Sequence, residues 1–122
     1  MSLLTITIFF IITASIGAYL LTLVLKDKKR PIYIVAIHGI MAITSFALLL
    51  YFSGSSVGGI QMGNIKGVPN NSITFFGIAI VGGAYMFVRD KILKKGIQKW
   101  MPFVHAGAAL AGIILLFVYA SK

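Results

Sequence analysis

The sequence has the composition of a small membrane protein. It contains 122 residues, 59% of them hydrophobic and 11% charged, whereas soluble domains are about 45 to 50% apolar and about 25% charged. Four spans of roughly 20 residues would use nearly all of the chain, which excludes a separate soluble catalytic domain. The formal net charge is +9 and cysteine is absent, so disulfides, thiolate metal sites and cysteine nucleophiles are also excluded.

Apolar runs predict four membrane-spanning helices, at about residues 3–25, 32–52, 70–89 and 100–120. The third run, Ile73 to Val88, is the shortest, and it spans a bilayer if its helix begins near Asn70 or continues past Arg89. Residues 53–72, rich in glycine, serine and asparagine, are predicted to be an outside connector. We therefore expect an all-α fold: one domain over residues 1–122, forming an integral membrane four-helix antiparallel bundle.

The positive charges lie mostly on one side of the predicted bundle. Nine of the eleven fall in the connections between spans one and two and between spans three and four, and only Lys66 and Lys122 lie on the other side. The positive-inside rule then predicts that the basic side is cytoplasmic and that both termini are outside, periplasmic in a bacterial inner membrane. The excess of positive charge is explained by its role in orienting the protein in the membrane. The expected partner is therefore the lipid bilayer, and nucleic acid is not expected. The nine are Lys26, Lys28, Lys29, Arg30, Arg89, Lys91, Lys94, Lys95 and Lys99.

The two histidines, His38 and His105, both fall inside predicted spans. An ionisable side chain in a bilayer is costly enough to indicate a functional role. At about 1.5 Å per residue, His38 lies roughly 10 to 12 Å from Pro31 and His105 lies roughly 9 Å from Lys99, so both are at nearly the same depth. Each follows a basic connection, and the two halves of the chain therefore look like parallel repeats.

Glycines occupy a similar depth on the other two spans, at Gly17 and at the pair Gly82 and Gly83. With neighbours in sequence order, spans two and four are diagonal, so the two imidazoles can face each other across the core. Glycines on the intervening helices would leave a flat slot because they lack a Cβ atom. Since imidazole is a standard axial ligand of haem iron, this pattern predicts one bis-histidine haem b per chain. Cations near that depth are candidates to bind its propionates: Arg30, Arg89, Lys91 and Lys99.

With His38 and His105 as ligands and glycines on the first and third spans, the chain resembles the four-helix membrane b-type cytochromes. These comprise the cytochrome b561-like proteins and the haem-binding half of the cytochrome b of quinol-oxidising complexes. The resemblance implies electron transfer, with quinone or other membrane redox subunits as partners. Those families usually hold two haems on four histidines, whereas this chain has a single pair in the half predicted to be cytoplasmic.

Other functions compete with this interpretation. The chain could be a small structural or accessory subunit of a larger membrane complex, with histidines that only form hydrogen bonds. His38 with Met41 and His105 with Met101 share helix faces, and two histidines with two methionines form a candidate copper site. An electron-transfer subunit is favoured over a stand-alone enzyme, which would be an oxidoreductase. A quinone head group has four candidate contacts: Thr13, Ser15, Tyr19 and Tyr85.

Overall fold

Four long α-helices make up most of the chain in a computed structural model that describes residues 3–52, 56–57, 60–61 and 70–121. The third helix, α3 (Asn70–Phe87), continues without a break into a π-helical turn, Val88–Ile92. Two short strands, β1 (Ser56–Val57) and β2 (Ile60–Gln61), pair in antiparallel fashion between the second and third helices. The helices are α1 (Leu3–Leu25), α2 (Ile32–Phe52), α3 (Asn70–Phe87) and α4 (Trp100–Ala120).

All four helices are long and apolar enough to cross a membrane. The third span reaches this length over Asn71–Ile92, because its helix begins early and the π-helical turn extends it. The structure thus confirms the all-α four-helix bundle of an integral membrane protein. The chain is helical from Asn70, so the last residues of the predicted connector 53–72 belong to α3. The hydroxyl of Ser72 is buried and donates to the Gly112 carbonyl at 3.4 Å, which ties this first turn to α4.

Parts of the predicted outside connector lie outside the described residues, namely 53–55, 58–59 and 62–69, and so do Lys66 and Lys122. The two connections at the other end of the bundle, residues 26–31 and 93–99, are described in full. They carry most of the cations, and we call this end the basic end.

The helices form a ring in sequence order, which places α2 diagonally opposite α4. Contact is most extensive between α3 and α4 and next between α1 and α2, so each half of the chain forms a helical hairpin. Each helix makes less contact with its neighbour in the other hairpin, α1 with α4 and α2 with α3. A seam therefore runs between hairpin 1 (α1 and α2) and hairpin 2 (α3 and α4).

The half of the bundle away from the basic end has a compact apolar core. Phe10 and Phe76 stack across the seam with ring centroids 3.9 Å apart and planes 8° apart. Gly112 makes room for this stack, since a Cβ atom there would lie 2.9 Å from Phe76 Cε1. The buried members of this core are Ile6, Phe10, Leu49, Phe76, Ile113 and Leu116.

The two hairpins use corresponding residues at corresponding places. Gly83 follows Gly17 by 66 positions, and the stacked Phe76 follows Phe10 by the same number. Beyond the π-helical turn, corresponding residues of the two hairpins are 67 positions apart, as His38 and His105 are. A π-helix accommodates one extra residue in a helix. The turn in α3 therefore accounts for the added residue, and the repeat extends through both hairpins.

Candidate cofactor site

Each histidine is held by a backbone carbonyl of the neighbouring helix in its own hairpin. His38 Nδ1 lies 2.9 Å from the Thr13 carbonyl oxygen on α1, and His105 Nδ1 lies 2.6 Å from the Ala79 carbonyl oxygen on α3. A carbonyl oxygen can only accept, so each Nδ1 must carry the proton and donate. The lone pair of each neutral imidazole is therefore on Nε2, the nitrogen left available to a metal ion.

Glycines one helical turn after these carbonyls let the imidazole rings pack against α1 and α3. A Cβ atom at Gly17 would lie 2.8 Å from His38 Cε1, and one at Gly83 would lie 3.1 Å from His105 Cε1. At Gly82 the nearest His105 atom would be 3.9 Å away, which is ordinary contact. An added Cβ atom would therefore clash with the ring at Gly17 and crowd it at Gly83, whereas at Gly82 it would make ordinary contact. The slot for a macrocycle that these glycines were predicted to leave stays a prediction, and both Gly17 and Gly83 also line a cavity beside the rings.

The two imidazoles approach each other across the seam. Their ring centroids are 6.1 Å apart and their planes are 79° apart. Metal–imidazole bonds are about 2.0 to 2.1 Å long, so two of them in line would separate the ring centroids by about 6.3 Å. The pair therefore has the spacing that a single metal ion with two axial imidazoles requires.

Cavities lie on both sides of the histidine pair, and both histidines line each of them. The first cavity, of about 270 Å³, is lined mainly by α1 and α4. The second, of about 410 Å³, is lined mainly by α2 and α3. Together they fall within the usual range of ligand pockets, roughly 300 to 1,000 Å³. Their walls are almost wholly apolar and include small residues such as Ala14 and Ala109, so a flat hydrophobic group could lie between the hairpins.

A polar cluster lines the first cavity at the basic end. Arg30 Nη2 pairs with Asp90 Oδ1 at 2.9 Å, and Lys91 Nζ lies 3.5 Å from Asp90 Oδ2. The Lys91 ammonium also donates to the Arg30 carbonyl oxygen at 2.7 Å. Arg30 Nε is buried and has no hydrogen-bond partner among the residues that the structure describes. This guanidinium therefore retains a donor that an acidic group of a ligand could satisfy.

The remaining cations predicted to contact a cofactor lie elsewhere. Arg89 Nε donates to the Gly96 carbonyl oxygen at 3.1 Å, which holds the connection after the π-helical turn. Lys99 Nζ is exposed and lies 3.4 Å from Asp27 Oδ2. Neither Arg89 nor Lys99 lines either cavity. Of the predicted cations, the structure brings Arg30 and Lys91 to the site.

Of the candidate quinone and copper residues, Thr13 lies beside the histidines, where it lines the second cavity, and the others line neither cavity. Tyr19 and Tyr85 are exposed, and the Thr13 hydroxyl donates to the Phe9 carbonyl oxygen at 2.8 Å. Met41 and Met101 line neither cavity. Within the described part of the chain there is no cluster of three or more histidine, cysteine or acidic residues.

Sequence reasoning missed two parts of the site. Asp90 was not among the predicted site residues, although a carboxylate between Arg89 and Lys91 is a group that could organise the cations around it. The carbonyls of Thr13 and Ala79 were also missed. Each lies four residues before a glycine, so the shared spacing Thr13-x3-Gly17 and Ala79-x3-Gly83 was the available signal. No protein family, curated protein or solved structure that was compared with the chain matches it.

Proposed function

We propose that the chain binds one haem b between its hairpins, with His38 and His105 as axial ligands, and transfers electrons. The observation that carries this proposal is the histidine pair itself. Both Nδ1 atoms are committed to helix carbonyls, which leaves two Nε2 lone pairs on rings 6.1 Å apart. When bound, the haem would supply a one-electron iron couple whose two axial positions are both filled, which suits electron transfer rather than oxygen chemistry.

The walls of the site support the binding of a haem in particular. Two apolar cavities flank the histidine pair and provide space for a planar macrocycle at the seam. Arg30 and Lys91 would bind the propionates, and the buried Arg30 Nε has no other acceptor among the described residues. Asp90 would keep both cations in position through its ion pairs. The apolar walls would exclude water from the metal.

The proposal agrees with the resemblance to four-helix membrane b-type cytochromes and accounts for the single histidine pair. A second haem would need space in the half of the bundle away from the basic end. There the described chain places the Phe10 and Phe76 stack within a compact apolar core. One haem per chain is therefore the stoichiometry that we propose.

We also infer the orientation and setting of the protein. The cations of the basic end place it on the cytoplasmic side, with both termini outside. A bacterial inner membrane is the setting that we propose. Electrons would pass between the haem and a redox partner, either a quinone in the membrane or a protein subunit.

A visible absorption spectrum tests the proposal. Detergent-purified protein should show sharp low-spin b-type bands in a reduced-minus-oxidised spectrum, and a pyridine haemochrome assay should give about one haem per chain. His38→Ala and His105→Ala should each remove the bands because each deletes an axial ligand. The matched controls Ile37→Ala and Val104→Ala change exposed neighbours of the two histidines and should keep the bands.

Two results would contradict the proposal. Retention of the spectrum in either histidine variant would show that another group binds the metal. A colourless protein that also fails to take up added haemin would assign the chain to the structural subunits of larger membrane complexes. Metal analysis of the same sample would reveal copper if the two histidines hold it instead.

A further inference from the structure

Five exposed lysines at the basic end have no acidic partner among the residues that the structure describes. They are Lys26, Lys28 and Lys29 of the first connection and Lys94 and Lys95 of the second, and together we call them the lysine surface. The only two carboxylate side chains of the sequence are already engaged: Asp90 pairs with Arg30 and Lys91, and Asp27 with Lys99. In the described chain no ion pair neutralises any of the five lysines.

The backbone presents these lysines on two closed turns. Asp27 and Lys94 both have a φ of 55°, in the left-handed region, and each reverses the chain at the end of a helix. The Lys28 amide donates to the Leu23 carbonyl oxygen at 2.9 Å, and the Lys95 amide donates to the Arg89 carbonyl oxygen at 2.9 Å. These bonds close the helix ends, so the lysines lie on ordered turns.

The two turns also contact each other across the seam. The Lys91 ammonium of hairpin 2 donates to the Arg30 carbonyl oxygen of hairpin 1, and Lys99 pairs with Asp27. The lysine surface therefore covers the end of the bundle rather than one helix. It lies next to the cluster of Arg30, Asp90 and Lys91, which lines the first cavity.

We propose that the lysine surface is the docking site of a soluble redox protein with an acidic face. The inference rests on the proposed function, because it names the partner that would exchange electrons with the haem. One electron would leave the reduced partner and convert ferric iron to ferrous, with no bond made or broken. Opposite charges accelerate such encounters by about 10- to 1,000-fold at low salt. The polar end of the first cavity would then be the point of electron entry.

Binding and electron transfer can be measured separately with one acidic probe. The protein is placed in phosphatidylcholine nanodiscs, and plant-type ferredoxin, a small acidic iron–sulfur protein, is the probe. Biolayer interferometry measures its binding, and stopped-flow absorption measures haem reduction by the reduced probe. The double variant Lys28→Glu/Lys94→Glu should lower affinity and the second-order rate constant by about tenfold at low salt, with no difference at 1 M salt. Lys66→Glu/Lys122→Glu makes the same change in net charge at two lysines that the sequence predicts to be on the opposite side of the membrane, and it should match wild type.

Three outcomes decide between the possibilities. Equal binding and equal rates in both double variants would overturn the docking proposal. The Lys28→Glu/Lys94→Glu variant could instead bind ferredoxin as wild type does but no longer enrich phosphatidylglycerol in mixed nanodiscs. That result would also overturn the docking proposal, and it would assign the lysines to anionic lipid. A colourless protein that still binds ferredoxin through the lysine surface would refute the proposed haem function and support the docking site.

Discussion

At the scale of single residues, the histidine rings are fixed by groups that are themselves part of rigid helices. The carbonyls of Thr13 and Ala79 point each Nδ1 away from the centre of the site, and Gly17 and Gly83 let the rings lie close to the helix backbones. A hydrogen bond from the ring nitrogen that does not bind the metal sets the tautomer and orientation of a metal-binding imidazole. The contacts of His38 and His105 would therefore hold both rings in place for a shared metal ion.

Adding one methyl group beside either ring should weaken haem binding. Gly17→Ala would place Cβ 2.8 Å from His38 Cε1, and Gly83→Ala would place it 3.1 Å from His105 Cε1. Overpacking of this kind costs about 1 to 3 kcal/mol, which corresponds to roughly 5- to 150-fold weaker binding. Titration of the apoprotein with haemin measures the effect.

The chain offers matched controls for these two changes. Gly82→Ala is next to Gly83 but would approach His105 no closer than 3.9 Å, and Gly107→Ala would have nothing within 4 Å. Both should keep wild-type affinity for haemin. If Gly82→Ala lowered the affinity for haemin as much as Gly83→Ala does, crowding of the His105 ring would not explain the loss of affinity.

The angle between the imidazoles predicts an electronic signature. With ring planes 79° apart, the two iron d orbitals that interact with the ring π systems would be nearly equal in energy. The ferric protein should therefore give a low-spin electron paramagnetic resonance spectrum with very large g anisotropy. The rhombic spectrum typical of parallel imidazoles would contradict the crossed arrangement of His38 and His105.

At the scale of helices, the π-helical turn reconciles two hairpins that differ in length by one residue. His38 follows Gly17 by 21 positions, whereas His105 follows Gly83 by 22. Because the turn Val88–Ile92 absorbs the extra residue, the glycine and the histidine of hairpin 2 keep the relation seen in hairpin 1. The same turn carries Asp90 and Lys91 into the wall of the first cavity.

Removing the extra residue should therefore be tolerated. Deletion of Ile92, which is 62% exposed, should convert the π-helical turn to α-helix and leave the b-type spectrum in place, as measured by haem content per chain. Deletion of Val81, 70% exposed in the same helix, falls between Ala79 and Gly83. This deletion would rotate Ala79 relative to Gly83 by about 100° around the helix axis, and it should therefore abolish haem binding. An equal loss of haem in the two deletion variants would contradict the assignment of the extra residue to the π-helical turn.

The helices were predictable from the sequence because unbroken apolar runs determine where a chain crosses a membrane. The similar depth of the histidines followed from the rise per residue, and the ring order of the helices agrees with the assumption that sequence neighbours are adjacent. The start of α3 near Asn70 was predicted from the length that a span needs, whereas the hydrogen bond from Ser72 to the Gly112 carbonyl of α4 was not predictable. The Arg30 and Asp90 pair was not predictable, because it joins residues 60 positions apart across the seam.

At the scale of the whole molecule, the two ends of the bundle have different characters. One end holds the histidine pair, the cavities and the charged cluster, and the other holds the stacked phenylalanines and the apolar core. A single redox site near one surface exchanges electrons with partners on that surface more readily than with the far side. The orientation of the bundle in the membrane is therefore part of its proposed function.

The absence of cysteine allows a direct test of orientation. In intact cells, a membrane-impermeant maleimide should label Ser121→Cys, since the C-terminus is expected outside. Lys28→Cys should react only after the cells are permeabilised. The cysteine-free parent chain is the control for background labelling. Immediate labelling of Lys28→Cys together with protection of Ser121→Cys would reverse the proposed topology.

The preference of each helix for its hairpin partner affects how the protein can be made. Each hairpin can leave the insertion machinery as a pair before the other joins it, because each helix packs more extensively on its hairpin partner than on any helix of the other hairpin. Two polypeptides divided between residues 62 and 69 should therefore insert independently and find each other in the lipid. Under the proposed function each polypeptide would contribute one imidazole, so haem binding would join the two hairpins as the last step of assembly. Cofactor supply would then determine how much of the newly made chain matures.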